Sequence, residues 1–357
     1  MLNRRIIALA LVIALCAGLC LYFAACGENP VEPVEPKDYV VYFRDGCVNG
    51  SYYGYHPATG QIDSFMIPAH ALWEMKVSAD GKRLYARSDS SIGVVDLQTL
   101  ELVTELPYYG NIAFSPDNRL VAIQGYDLYV LNTADFSVFY QDTIRTWNGC
   151  FSHDSKKLYT CGGSASDPCV FVVNLEAEPT YTRKQFGDAS SMIKVVPSLD
   201  ESKWFLLRYS GYLYRAFFDV YDVKTDSIIF RDWLIPKAGS MAQTPDGKYL
   251  FYTVPETGIE GDPWAESNFK VFDVERNRIR MLISTVGFKD GFNPVNMPVG
   301  DLAVTPDGQW LIVDECGCGS SIGAPTFIIF NIKTMAIESW MEIPRVQGLY
   351  YTCQNAP

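Results

Sequence analysis

Thr244-Pro245-Asp246-Gly247-Lys248-Tyr249-Leu250-Phe251-Tyr252 is a turn written directly ahead of a strand. Pro245 fixes φ near the value that the first central turn position needs. Asp246 can bond its own backbone, and Gly247 takes a position with φ > 0. Met241 to Gln243 before the turn and Tyr249 to Val254 after it read as strands, so the unit is a tight β-hairpin. The phrase recurs as Ser78-Ala79-Asp80-Gly81-Lys82, Ser115-Pro116-Asp117-Asn118-Arg119, Ser152-His153-Asp154-Ser155-Lys156 and Thr305-Pro306-Asp307-Gly308-Gln309. Ser198-Leu199-Asp200-Glu201 is a degenerate sixth copy. Their first residues are 37, 37, 46, 46 and 61 positions apart. A self-similar period of about 40–45 residues, with four strands per unit, marks a propeller blade.

A second punctuation mark closes each third strand: Val95-Asp96-Leu97, Leu131-Asn132-Thr133, Val173-Asn174-Leu175, Tyr221-Asp222-Val223, Phe272-Asp273-Val274 and Phe330-Asn331-Ile332. Asp or Asn there can cap the turn into the outermost strand. Six blades follow, beginning near Glu74, Ile112, Gly149, Ile193, Met241 and Asp301. Ahead of them, Tyr39 to Arg44, Ser51 to Tyr55 and Ile62 to Ile67 read as three strands without the hairpin phrase. Gly348 to Thr352 reads as a lone first strand. Joined, these would make a seventh blade stitched from both termini, which removes free sheet edges. The expectation is an all-β, seven-bladed propeller of four-stranded blades over residues 38–357. The aromatic content of 14% agrees, and there is no helical periodicity beyond the first 25 residues.

The hairpin phrases and Asp/Asn turns resemble the YVTN-type and WD-like seven-bladed β-propellers of bacterial envelope proteins, over about residues 39–357. The WD dipeptide and the Gly-His pair of true WD repeats are missing. Two classes of function come with this resemblance. One is a non-catalytic binding or scaffold module. The other is a propeller enzyme of lactonase or quinoprotein-dehydrogenase type, and the likeness does not choose between them.

The N-terminus reads as a targeting segment. Arg4 and Arg5 precede an apolar stretch from Ile6 to Phe23, and Ala24-Ala25-Cys26-Gly27 follows. This resembles a bacterial lipoprotein signal: residues 1–25 are removed and Cys26 is lipidated. An uncleaved membrane anchor is the alternative, and both place the body outside the cytoplasm. Residues 26–37 then form a spacer, in which proline recurs among acidic residues and favours an extended chain. Loss of Arg4 and Arg5 would leave 29 − 2 = 27 basic against 41 acidic side chains, a net charge of −14. That balance argues against nucleic acid and against docking on anionic lipid, so the lipid anchor is the expected membrane link.

Candidate chemistry is sparse. The three histidines, His56, His70 and His153, do not converge in the strand order, so no metal site or cofactor is expected. Seven cysteines follow Cys26, and outside the cytoplasm disulfides are the default. Cys161 and Cys169 flank one second-to-third strand loop and are expected to bridge. Cys47 is expected to bridge Cys316 or Cys318 from the equivalent strand end of a neighbouring blade. Channel strands such as Ile112-Ala113-Phe114 and Leu302-Ala303-Val304 are mostly apolar, which favours binding over catalysis. The expected partner is an envelope protein or glycan, bound by a monomer. Its expected surface is the face carrying the second-to-third and between-blade loops. Two long loops there, Pro255 to Ser267 and Thr285 to Gly300, carry Trp264, Phe288, Phe292, Asn293, Asn296 and Met297.

Overall fold

The computed structural model describes residues 40–44, 51–56, 59, 61–66, 74–88, 90–164, 167–176, 178–186, 191–210, 215–234, 240–255, 267–284, 299–315 and 326–342. The segment 1–38 forms a unit separate from 39–357, and only the second unit contains described residues.

Among the described residues of that unit every element is a strand. Six sheets have four strands in consecutive antiparallel order, spanning residues 74–106, 111–142, 146–185, 191–234, 241–284 and 299–342. We number these blades one to six. A seventh sheet, Val41–Arg44, Ser51–His56 and Gln61–Met66, has three strands. The expectation of seven four-stranded blades is therefore corrected to six, with a three-stranded sheet ahead of them. The physical distinction lies in the hairpin phrase. All six complete blades tie their first strand to their second with it, and the sequence of the N-terminal sheet does not contain the phrase. The expected closing strand, Gly348 to Thr352, lies outside the described residues.

The hairpins are built by a clasp that the turn residues alone do not reveal. In each copy the buried Ser or Thr hydroxyl donates to the Asp Oδ1 two residues on, at 2.5–2.7 Å. The same oxygen accepts from the backbone N–H five residues on, at 2.9–3.0 Å. The Asp in turn accepts a backbone N–H at 3.0–3.2 Å. The fourth residue of the phrase has positive φ in all six: Gly81, Asn118, Ser155, Glu201, Gly247 and Gly308.

Core lies between blades rather than within one. The second strand of blade two, Leu120–Gln124, is buried throughout. Leu120 and Ala122 face blade three, while Val121 and Ile123 face blade one. A strand covered on both faces must be apolar at consecutive positions, which explains the runs that interrupt simple alternation. Equivalent layers join blades three to four, four to five and five to six. Tyr42 of the three-stranded sheet packs on the blade-one core. Outer strands are wetter: Leu102, Val103, Val138 and Phe139 are all exposed.

Candidate partner-binding face

The expected site residues Trp264, Phe288, Phe292, Asn293, Asn296 and Met297 lie outside the described residues, as do Cys26, Cys47, Cys316 and Cys318. The Cys161–Cys169 bridge is corrected. Strand Lys157–Ser164 pairs with Asp167–Asn174 so that Cys161 stands opposite Val170 and Cys169 opposite Gly162. Cross-strand partners share a face and successive residues alternate, so the two thiols point to opposite sides of the sheet. Both are free, as is Cys150. Cys161 is enclosed with Tyr159, Val170 and Val195 between blades three and four. Cys169 sits beside Arg183 on the other side. Burial pushes the Cys150 thiol up to about 12 and raises Cys161 well above the ordinary thiol range. Such thiols are inert rather than nucleophilic.

The two described histidines are carried by different sheets. His56 Nε2 contacts Asp63 at 2.9 Å, His153 lies in the blade-three hairpin turn, and His70 is outside the described residues. Among the described residues no group of three or more His, Cys, Asp or Glu is placed to hold a metal ion.

Sequence reading did not single out the loops of blades one to three, and among the described residues these carry a surface cluster on the face of second-to-third and between-blade connections. Tyr109 comes from the connection between blades one and two. Tyr126 comes from the second-to-third turn of blade two, and Arg145 and Trp147 from the entry to blade three. Tyr126 is 66% exposed and Tyr109 46%. The Arg145 guanidinium carbon lies 5.0 Å from the Tyr126 ring centroid and 4.5 Å from that of Trp147. Those two rings stand 6.4 Å apart at 62°. Arg87 repeats the arrangement over Tyr109 at 5.4 Å. Each contact of this kind contributes about 0.5–1 kcal/mol at an exposed site, and it holds a cation flat against an aromatic face.

The backbone beneath these side chains is stitched together. Thr146 N–H donates to the Gly125 carbonyl at 2.9 Å, tying the blade-three entry to the blade-two turn. A Cβ on Gly125 would lie 2.4 Å from the Tyr109 carbonyl oxygen, and one on Gly110 would lie 2.5 Å from that of Gln124. Only glycine allows so close an approach of two backbones. Below runs an amide relay. Arg87 donates to Asn111 Oδ1 at 2.7 Å, and Asn111 Nδ2 donates to the Trp147 carbonyl at 2.8 Å and to Asn148 Oδ1 at 2.7 Å. Asn148 passes the chain to the Ile193 carbonyl at 3.2 Å. The relay spans blades one to four and fixes the first strands relative to one another. A tyrosine–proline–glycine-rich stretch such as Pro107-Tyr108-Tyr109-Gly110 was the available signal. It is unremarkable alone, because Tyr126 and Arg145 arrive from 17 and 36 residues downstream of Tyr109.

The opposite, hairpin face has an interblade cleft of about 770 Å³ between blades three and four. Its polar groups engage one another: Glu201 Oε2 receives Tyr159 Oη and Lys157 Nζ, each at 2.5 Å. Burial and the neighbouring Glu201 carboxylate push the Tyr159 phenol far above its usual range.

No protein-family model matches the sequence, and no curated protein matches it either. Solved structures do. Hydrazine synthase from Kuenenia stuttgartiensis superposes with a TM-score of 0.58 at 14% identity, over 78% of this chain and 90% of that one. The β-propeller domain of Cps50 (Swd1) from Myceliophteria thermophila gives 0.58 at 13% identity, over 79% and 90%. The dihydro-heme d1 dehydrogenase NirN, in complex with DHE, gives 0.53 at 14% identity, over 88% and 75%. At these identities the likeness establishes a β-propeller and nothing of its task, and the matches include both enzymes and a propeller domain of another kind.

Proposed function

We propose that the chain is a non-catalytic binding propeller of the bacterial cell envelope, held there by lipid on Cys26 and presenting the loop face of blades one to three to a protein or glycan partner. The observation that carries this reading is the Tyr126–Arg145–Trp147 cluster, in which Tyr126 and Arg145 are exposed and Trp147 is half-buried beneath them. Tyr, Trp and Arg are the residue types that dominate binding energy at interfaces. Here they are gathered from the blade-two turn and the entry to blade three, on a backbone that has little room to rearrange. A rigid platform reduces the ordering cost of association. The polar side chains beneath the cluster, Asn111 and Asn148, are engaged with each other and with backbone carbonyls. That pattern supports a framework better than reacting groups.

The test is capture of envelope components by the purified full chain. Tyr126→Ala and Trp147→Ala are expected to weaken capture while the melting temperature stays within a few degrees, because Tyr126 is an exposed turn residue and Trp147 a half-buried residue of the first strand of blade three, and neither belongs to the interblade core clusters. Unchanged capture by both variants would reject this face. The anchor is tested separately. Cys26→Ser is expected to abolish lipid labelling and shift the protein out of the detergent phase, since stable anchoring needs more than one acyl chain. Identical partition of variant and wild type would reject the anchor.

A further inference from the structure

We propose that the Tyr126–Arg145–Trp147 cluster takes an acidic segment of a protein partner, with a carboxylate of that segment seated on the Arg145 guanidinium. The inference rests on the reading that this face binds a partner, and it names the partner's chemistry.

Its first ground is charge. The chain carries 41 acidic and 29 basic side chains, so carboxylates are in excess. Other arginines have found them: Arg119 pairs with Asp117 at 2.6 Å, Arg231 with Asp219 at 2.7 Å and Arg276 with Asp273 at 3.2 Å. Arg145 is exposed, and among the described residues its contacts are the two rings. Asp127, the carboxylate of the adjoining turn, lies beside the Tyr129 hydroxyl. Among the described residues the Arg145 guanidinium N–H donors make no hydrogen bond, which leaves them for the fork that matches a carboxylate.

Donor balance is the second ground. The exposed polar groups are the Arg145 guanidinium and the phenols of Tyr126 and Tyr109. The amides that could have added acceptors, Asn111 and Asn148, are engaged in the relay beneath. A hydroxyl-rich glycan asks for donors and acceptors together. A peptide bearing carboxylates and backbone carbonyls asks mainly for donors. Its aromatic or aliphatic side chains would lie against Tyr126 and Trp147, and the neighbouring Arg87–Tyr109 pair extends the same chemistry along the face.

The experiment uses the full chain and three probes: a labelled Glu-Tyr repeat peptide, its Gln-Tyr counterpart and oligogalacturonate. The Glu-Tyr peptide is expected to bind at least about tenfold more tightly than the Gln-Tyr peptide, with binding weakened by salt. Arg145→Gln is expected to erase that preference, and Arg145→Lys to restore only part of it. Both substitutions are at an exposed side chain, and matching melting curves certify the fold. Equal binding of the two peptides, with Arg145→Gln silent, overturns the acidic-segment proposal. If Tyr126→Ala still loses capture in that case, the binding face itself stands. Oligogalacturonate bound through Arg145 in place of peptide overturns the proposal in favour of an acidic glycan. No binding of any probe at millimolar concentration overturns it outright.

Discussion

Thr244 carries more of the hairpin than the proline and glycine that make the turn recognisable. It is 3% exposed, and its hydroxyl donates to Asp246 and accepts from Tyr249 N–H at once. Thr244→Val keeps the shape and removes both bonds, leaving a buried N–H without its partner. We expect a loss of about 1–3 kcal/mol by chemical denaturation, and a loss within a few tenths would show that the clasp is incidental. The carboxylates give the same motif a pH signature. The Ser152 and Ser198 hydroxyls, with backbone N–H groups, hold Asp154 and Asp200 below the usual carboxylate range. A carboxyl depressed in the folded state stabilises the fold above its unfolded pKa, and that contribution disappears as pH falls through the folded value. Melting temperature should therefore be level near neutrality and drop below about pH 4. The Asp154→Asn and Asp200→Asn double variant should show a shallower drop, and an unaltered profile would count against the assignment. The turn residues were legible in the sequence because proline, aspartate and glycine each have a local conformational reason to be there. The hydroxyl's part was not, because it depends on the side chain facing inward.

At the scale of the hairpin, parity decides what loop length cannot. Reading Cys161 and Cys169 as the two ends of a seven-residue loop makes a bridge natural. The strands instead run on through Ser164 and resume at Asp167, so both cysteines lie inside the ladder with opposite facing. Polar and glycine-rich strand ends carry little hydrophobic pattern, and this is why the extension was invisible. Non-reducing peptide mapping should find no Cys161–Cys169 link, and such a link would overturn the register. The third-to-fourth strand turns were read more fully. Asp96, Asp222, Asp273 and Asn331 accept turn N–H groups at 2.7–3.0 Å, as an Asx cap requires. Less foreseeable is the fifth residue of these turns, which has positive φ at Leu100, Phe136, Asp226, Asn277 and Met335. Leucine is strained there, by about 1 kcal/mol or more relative to glycine. Leu100 is 38% exposed and little packing would be lost on its removal. Leu100→Gly should therefore leave stability unchanged or raise it by up to about 1 kcal/mol. A clear loss would mean that the side chain packs more than its exposure indicates.

For the whole molecule, the repeat made the propeller readable from the sequence, because two turn signals in fixed order report four strands each. The number of complete blades was less secure, since it rested on joining segments from the two ends that lack the hairpin phrase. The surface cluster proposed as the binding face was not legible in the sequence. Long loops draw attention through length, whereas the cluster on blades one to three is assembled from short connections. Tyr109, Tyr126 and Arg145 become neighbours through interblade packing alone. The central claim is that this cluster is where a partner docks. The most direct test is capture of envelope components by wild type, by Tyr126→Ala/Trp147→Ala and by Lys156→Ala on the opposite, hairpin face, all at matched melting temperature. The account predicts loss of capture in the double variant and wild-type capture in Lys156→Ala. Full capture by the double variant, with loss in Lys156→Ala, would contradict it.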